Sequence, residues 1–145
     1  MIKLVSIDDI ESIEKILSHP DMVCDFDDEI VLPHVTYQGA YVNNELVGIF
    51  RLKDNAMIDC EIHFAMIKKA IEYQRQFCLL CIDYVFGLGY ERITVSATDY
   101  ARKMVNLALK IGFILEGKKR NNCIYNGAFY DEYIFGMLKS DWNKQ

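Results

Sequence analysis

The sequence predicts an α/β fold built on a mixed sheet. Three observations carry that expectation. Strand-like alternation dominates residues 37–65, an apolar helical period runs from about residue 70, and strand, helix and a long hairpin then follow up to residue 138. Antiparallel hairpins followed by a strand–helix–strand unit call for a sheet with both parallel and antiparallel neighbours.

The elements follow in order. Residues 2–5 read as a short strand. Ser6 is placed to cap a helix, with Asp9 three residues on in the capping-box position. Ile7, Ile10, Ile13, Ile16 and Leu17 recur at helical spacing, and Pro20 stops the run. The acidic stretch 21–30 has room for a second short helix. Tyr37–Val42 and Glu45–Leu52 form a hairpin about Asn43-Asn44. Ala56–Ala65 reads as a third strand with Ile58, Cys60, Ile62 and Phe64 on one face and Asp59, Glu61 and His63 on the other. From about Ala70 a helix carries Tyr73, Phe77, Leu80, Cys81, Tyr84 and Val85 on one stripe, and Gly87 and Gly89 end it. Arg92–Ala97 is a strand with Ile93 and Val95 inward. Asp99–Ile111 is a helix stopped by Gly112. Phe113–Ile124 and Phe129–Leu138 pair about Tyr125-Asn126-Gly127. The order is β, α, (α), β, β, β, α, β, α, β, β.

The 145 residues suit one domain, 1–145, without a Pro/Gly-rich linker or repeat. Apolar residues make up 52% of the chain, which argues against disorder. The formal charge of −5 argues against a general nucleic-acid binder, although Lys68, Lys69 and Arg75 cluster, as do Lys118, Lys119 and Arg120. No apolar run has membrane-spanning length, and Met-Ile-Lys-Leu-Val-Ser lacks a signal-peptide plan. Five cysteines without framework spacing read as reduced thiols, so a cytoplasmic protein is expected. Cys78 and Cys81 form a CxxC inside a helical pattern with no second pair, so buried packing outweighs a metal or redox site. Gly87-Leu88-Gly89 follows a helix, which fails the context of a dinucleotide fingerprint. His19, His34 and His63 have no metal-ligand spacing, and no metal is expected.

The most specific stretch is Lys110-Ile111-Gly112-Phe113-Ile114-Leu115-Glu116-Gly117, followed by Gly127-Ala128-Phe129-Tyr130-Asp131. Here the chain resembles the GNAT superfamily of N-acetyltransferases. That family ends a helix in a K-L-G-F turn, marks the next strand with x-x-G, and follows with a G-x-Y-x-D hairpin. The order of elements matches over nearly the whole chain, best over 57–138. The resemblance implies a GNAT-like acyl-CoA N-acyltransferase fold. In it two mid-sheet strands splay and acetyl-CoA lies in the gap, with its pyrophosphate on the amides that start the following helix. The splayed pair would be the strand ending near Ala65 and the strand starting at Arg92.

By the same resemblance, backbone groups of Phe64, Ala65 and Met66 would orient the thioester. Lys68, Lys69, Ala70, Tyr73, Gln74 and Arg75 would hold the pyrophosphate. The chain departs from the family here, because Lys69-Ala70-Ile71-Glu72-Tyr73-Gln74 lacks the usual glycines. Ala101 and Ala108 stand where family members often carry Asn and Tyr, so Tyr100 is the nearest substitute for the tyrosine that protonates the leaving thiolate. Glu61 and His63, on one strand face before this loop, are the candidate bases, although a solvated or self-paired Glu and His would look the same. The run Asp21 to Glu29 would either draw in a cationic amine or remain a solvated loop.

Two functions follow from this reading. The first is acetyl transfer from acetyl-CoA to a primary amine of a small molecule or protein. The second is a catalytically silent GNAT-like fold serving as an assembly or interaction protein. Glu61-Ile62-His63, Tyr100 and the segment Asp131 to Trp142 are similar to a subset of phage-encoded GNAT-like proteins, some of them head-assembly factors. Family members often pair through sheet edges or terminal strands, which makes the aromatic C-terminal hairpin a candidate homodimer surface as well as a candidate part of the chain's own core.

Overall fold

The computed structural model describes residues 1–23, 35–99 and 101–143. Along the chain lie β1 (Ile2–Ile7), α1 (Ile10–Leu17), β2 (Met22–Val23), β3 (Val35–Val42), β4 (Glu45–Ala56) and β5 (Asp59–Ile67). A 3-10 segment (Lys68–Tyr73) then runs into α2 (Gln74–Gly87). β6 (Arg92–Thr98), α3 (Arg102–Ile111), β7 (Ile114–Tyr125), β8 (Ala128–Leu138) and α4 (Lys139–Trp142) complete the order. The strands form one mixed sheet, β1-β3-β4-β5-β6-β8-β7, with β2 attached to β5 off this path. All neighbours are antiparallel except β5 and β6.

Both expected hairpin turns are present. Asn43, Asn44, Asn126 and Gly127 all have positive φ, which is the backbone a two-residue turn between twisted strands requires. Gly112 ends α3 at φ 118°, a left-handed cap that glycine adopts without strain.

Several boundaries differ from the sequence reading. β1 runs on to Ile7, which pairs with Tyr37, so Ser6 is a strand residue and caps nothing. Its hydroxyl instead accepts from Gln38 Nε2 at 2.9 Å. Asp9 is the N-cap and accepts from the Glu11 amide. Ile58, expected inward on the third strand, lies in the Met57-Ile58 turn and is 59% exposed, because β4 extends to Ala56. The helix expected at Asp99 begins at Arg102. Met22 and Val23 form β2 where a short helix was entertained; the rest of 24–34 lies outside the described residues, and so does Tyr100.

The core sits between the sheet and α2. Phe77, Cys78, Cys81, Ile82, Val85 and Phe86 of α2 are all buried, which is wider than the stripe read from the sequence. Two further elements account for the extra width. α3 shares a cleft with Cys78 and Ile82, and Trp142 of α4 stacks on Phe86 at 6.5 Å. Phe77 meets Phe64 edge-on at 6.2 Å, and Tyr84 meets Phe50 in the same way at 6.2 Å. β7 forms the outer edge and is largely exposed, with Lys118, Lys119 and Arg120 and two register shifts along it. Charge and irregularity of this kind blunt an edge against further strand pairing.

At Gly48 the sheet and α2 approach closely. A Cβ there would lie 2.9 Å from the Ala65 carbonyl oxygen and 3.0 Å from Phe77 Cε2. We expect Gly48→Ala to destabilise the fold by about 1–3 kcal/mol, because a backbone oxygen must yield. The midpoint of urea unfolding measures this, with Gly87→Ala as the control, since a Cβ at Gly87 meets nothing within 4 Å.

Candidate active site

The β5–β6 junction builds the site. These parallel strands pair over only three residues: Asp59↔Arg92, Cys60↔Ile93 and Glu61↔Thr94. β5 then continues to Ile67 and β6 to Thr98 without further pairing to each other. β6 remains paired with β8 throughout, and β5 remains paired with β4 up to Met66. The two halves of the sheet therefore diverge as a wedge whose vertex lies at Glu61 and Thr94.

A polar chain fastens the vertex. The Thr94 hydroxyl donates to Asp59 Oδ1 at 2.8 Å and accepts from Arg92 Nε at 3.2 Å. The Arg92 guanidinium forks onto the Glu116 carboxylate of β7, donating from Nη1 to Oε2 at 2.9 Å and from Nη2 to Oε1. This hydrogen bonding holds the Glu116 carboxyl below its ordinary pKa. The fork crosses Gly136 of β8, where a Cβ would fall 2.5 Å from Glu116 Oε1, so a side chain there would displace the pair.

The wedge opens a cleft of about 510 Å³, including its mouth. Ile62, His63 and Phe64 of β5 line one side, and Val95, Ser96 and Ala97 of β6 line the other. Cys78 and Ile82 of α2, Met104, Ala108 and Ile111 of α3, and Phe113 close it on the helical side. Burial pushes the Cys78 thiol far above its ordinary pKa, so it is a neutral wall group.

Backbone parity shows what the wedge offers a ligand. The Lys68 amide donates to the Asp21 carbonyl at 2.8 Å, and Met22↔Ile67 and Val23↔Met66 continue that ladder. Hydrogen-bonded antiparallel pairs alternate, so the Met66 backbone faces β2. That of Ala65 faces β4, consistent with its carbonyl lying against Gly48. The backbone groups of Phe64, beyond the last β5–β6 pair, face the gap, where β6 has already turned away. Of the expected backbone group Phe64–Met66, the register leaves Phe64 open to the gap and commits Ala65 and Met66 to neighbouring strands.

Glu61 and His63 come together on the sheet face opposite α2. The His63 Nε2–H donates to Glu61 Oε2 at 3.0 Å, and both side chains are mostly buried. This bond, reinforced by Lys53, holds the Glu61 carboxyl below its ordinary pKa against the opposing effect of burial. Glu61 is therefore ionised at neutral pH.

The segment expected to be a phosphate loop is a 3-10 turn leading directly into α2. Such a start leaves its leading amides without helical acceptors. Asp21 takes that of Lys68, and among the described residues no acceptor outside the segment takes those of Lys69 and Ala70. The Lys69 ammonium is paired with Glu45, and Ala70 is buried. Gln74 turns inward and donates to Met104 Sδ at 3.9 Å, joining α2 to α3, while Arg75 is exposed and Tyr73 half-buried. Ser96 and Met104 went unnoticed in the sequence, and Ala108 was noted only as standing where the family often carries Tyr. Only the strand pairing, which turns β6 edge-on to the gap, picks them out.

The comparisons bear on this geometry. No family model matches the chain. The chain is similar to spermidine N-acetyltransferase SpeG of Vibrio cholerae. A chimera of that enzyme with hSSAT superposes with a TM-score of 0.84 at 17% identity, covering 99% of both chains. The dodecameric enzyme in an intermediate state gives 0.82 at 16% identity, covering 97% of this chain and 95% of that one. This chain has the GNAT acetyltransferase fold. In sequence it is similar to the SPbeta prophage-derived uncharacterized N-acetyltransferase YokL of Bacillus subtilis (strain 168), at 25% identity over 71 residues, 48% of this chain. The match spans 40% of that relative's length. Among the described residues of this GNAT-fold chain, no helix is long and apolar enough to cross a membrane, and no cluster of His, Cys, Asp and Glu is arranged to hold a metal.

The Glu61–His63 pair sets a pH dependence. The folded pKa of Glu61 is depressed below 4.5, so its contribution is present above the unfolded value and lost as pH falls through the folded one. We expect Glu61→Gln to cost about 1 kcal/mol at pH 6 and progressively less on acidification below pH ~4.5, as parallel denaturation series would show.

Proposed function

We propose that this chain is an acetyl-CoA-dependent N-acetyltransferase that acts on a primary amine by direct attack. The observation that supports this most strongly is the wedge: two adjacent strands that part after three residue pairs and leave the Phe64 backbone groups facing the gap. A thioester carrying an extended amide-bearing arm matches such an edge, because its amides can complete the interrupted ladder.

In this reading the Phe64 edge orients the thioester, and the amides of Lys69 and Ala70 meet the pyrophosphate. Gln74, Tyr73 and Arg75 border that site. The acceptor approaches from the face carrying Glu61 and His63. An ammonium has no lone pair, so it must lose a proton before it can attack. A neutral His63 with its proton on Nε2 toward Glu61 carries its lone pair on Nδ1, the tautomer a general base needs. Glu61, kept ionised, fixes that tautomer and stabilises the imidazolium that forms. The amide C–N bond forms, the thioester C–S bond breaks, and the thiolate takes up a proton.

One observation favours the second reading, a fold retained for assembly without catalysis. Lys69 is held by Glu45 and the Lys68 amide by Asp21, in a segment without glycine, so the phosphate grip is reduced. Calorimetric titration with acetyl-CoA separates the two. The catalytic reading expects saturable binding, and absence of heat at millimolar ligand with folded protein would end it. It further expects His63→Ala to lower kcat by about 10²-fold or more while KM for acetyl-CoA changes little.

A further inference from the structure

We infer that Ser96 and Thr98 of β6 bind the acceptor, and that this acceptor is an amino alcohol: a primary amine with a hydroxyl about 6.6 Å from its nitrogen. This rests on the transferase reading above and names the class of its acceptor. Two amides fix how β6 is turned. That of Arg92 donates to the Ile58 carbonyl at 3.0 Å, so the Arg92 backbone faces β5. That of Asp99 donates to the Asp131 carbonyl at 3.0 Å, which makes Thr98↔Glu132 a non-hydrogen-bonded pair of the β6–β8 ladder. By alternation the backbone groups of Arg92, Thr94, Ser96 and Thr98 all face β5, and the last β5–β6 pair is Glu61↔Thr94. Ser96 and Thr98 therefore stand on the open reach of β6, across the gap from β5.

Their side chains share a face. Thr94 reaches Asp59 across the vertex, so alternation puts Ser96 and Thr98 on the sheet face that carries Glu61 and His63. Continued past the vertex, the register would set Ser96 directly opposite His63, and the two residues line opposite sides of the cleft. An amine between them meets the base on one side and a hydroxyl on the other. Thr98 is the next residue on that face, two residues and about 6.6 Å further along the strand. It is 7% exposed, and its Oγ1 has no hydrogen-bond partner among the described residues. Glu132, its cross-strand neighbour, accepts from Asn122 Nδ2. A buried hydroxyl without a partner carries a free-energy cost that a ligand can relieve. A hydroxyl on the ligand donates and accepts as Thr98 does, and it places no charge in a buried position. That hydroxyl makes no covalent bond: the amide C–N bond forms as the thioester C–S bond breaks, CoA leaves as the thiol, and one proton from the ammonium is released.

The test compares aminobutanol, its hydroxyl on the terminal carbon, with pentylamine, in which a methyl replaces that hydroxyl, as acceptors for the full chain with acetyl-CoA. kcat/KM should favour the amino alcohol about tenfold. Thr98→Val, which keeps the shape and removes the hydroxyl, should bring the ratio to about one, and Thr98→Ser should retain the preference. With no ligand, the urea midpoint of Thr98→Val should equal or exceed that of the wild-type chain, because a hydroxyl bonded to nothing adds no stability. A lower midpoint, or a variant that does not fold, shows that the hydroxyl is held within the fold and overturns the inference. A wild-type chain without the preference overturns it, as does a preference that persists in Thr98→Val, or acetyl-CoA binding with transfer to neither amine; each leaves the transferase reading standing. No binding of acetyl-CoA overturns both.

Discussion

The parting of β5 from β6 after Thr94 is the constraint on which the rest depends. Parallel strands normally continue side by side until one ends. Here each is secured on its outer edge, β5 by β4 and β6 by β8, while the inner edges separate. Buried backbone groups left without partners are costly, so a gap of this kind persists only if water or a ligand completes it. The Asp59–Thr94–Arg92–Glu116 chain sits at the vertex and fixes where the separation begins. It links β5, β6 and β7 across a glycine in β8, so the vertex is tied to the outer edge of the sheet.

Two chemistries meet at the gap. On the sheet face, the Glu61 carboxylate, held ionised, accepts a hydrogen bond from His63. On the helical side the walls are apolar and a helical segment begins. At the 3-10 start the Asp21 carbonyl takes the Lys68 amide, and Glu45 pairs with the Lys69 ammonium.

Much of this was legible in the sequence. The Asn43-Asn44 and Asn126-Gly127 turns, the Gly112 stop and the alternation that places Glu61 and His63 on one face follow from local chemistry, and the structure has them. The failures share a cause. Ser6 was assigned from a local capping motif and Ile7 and Ile58 from periodicity, whereas pairing with β3 and the length of β4 decided their places. The wedge itself has no local signature, since divergence of two strands depends on their outer neighbours, and it was expected only through the GNAT resemblance. Ser96 and Met104 look like ordinary strand and helix residues until the topology brings them to one cleft with Ala108. The β2 contact with β5, which redirects the Met66 backbone, is a two-residue pairing that no pattern signals.

Amide hydrogen exchange at single-residue resolution tests the open edge most directly. With no ligand, the Phe64 amide should exchange markedly faster than that of Ala65, which is bonded to β4, and saturating CoA should slow Phe64 while leaving Ala65 unchanged. A Phe64 amide already as protected as its neighbour, or one indifferent to CoA, would show that the inner edge of β5 is closed and that no thioester is held there.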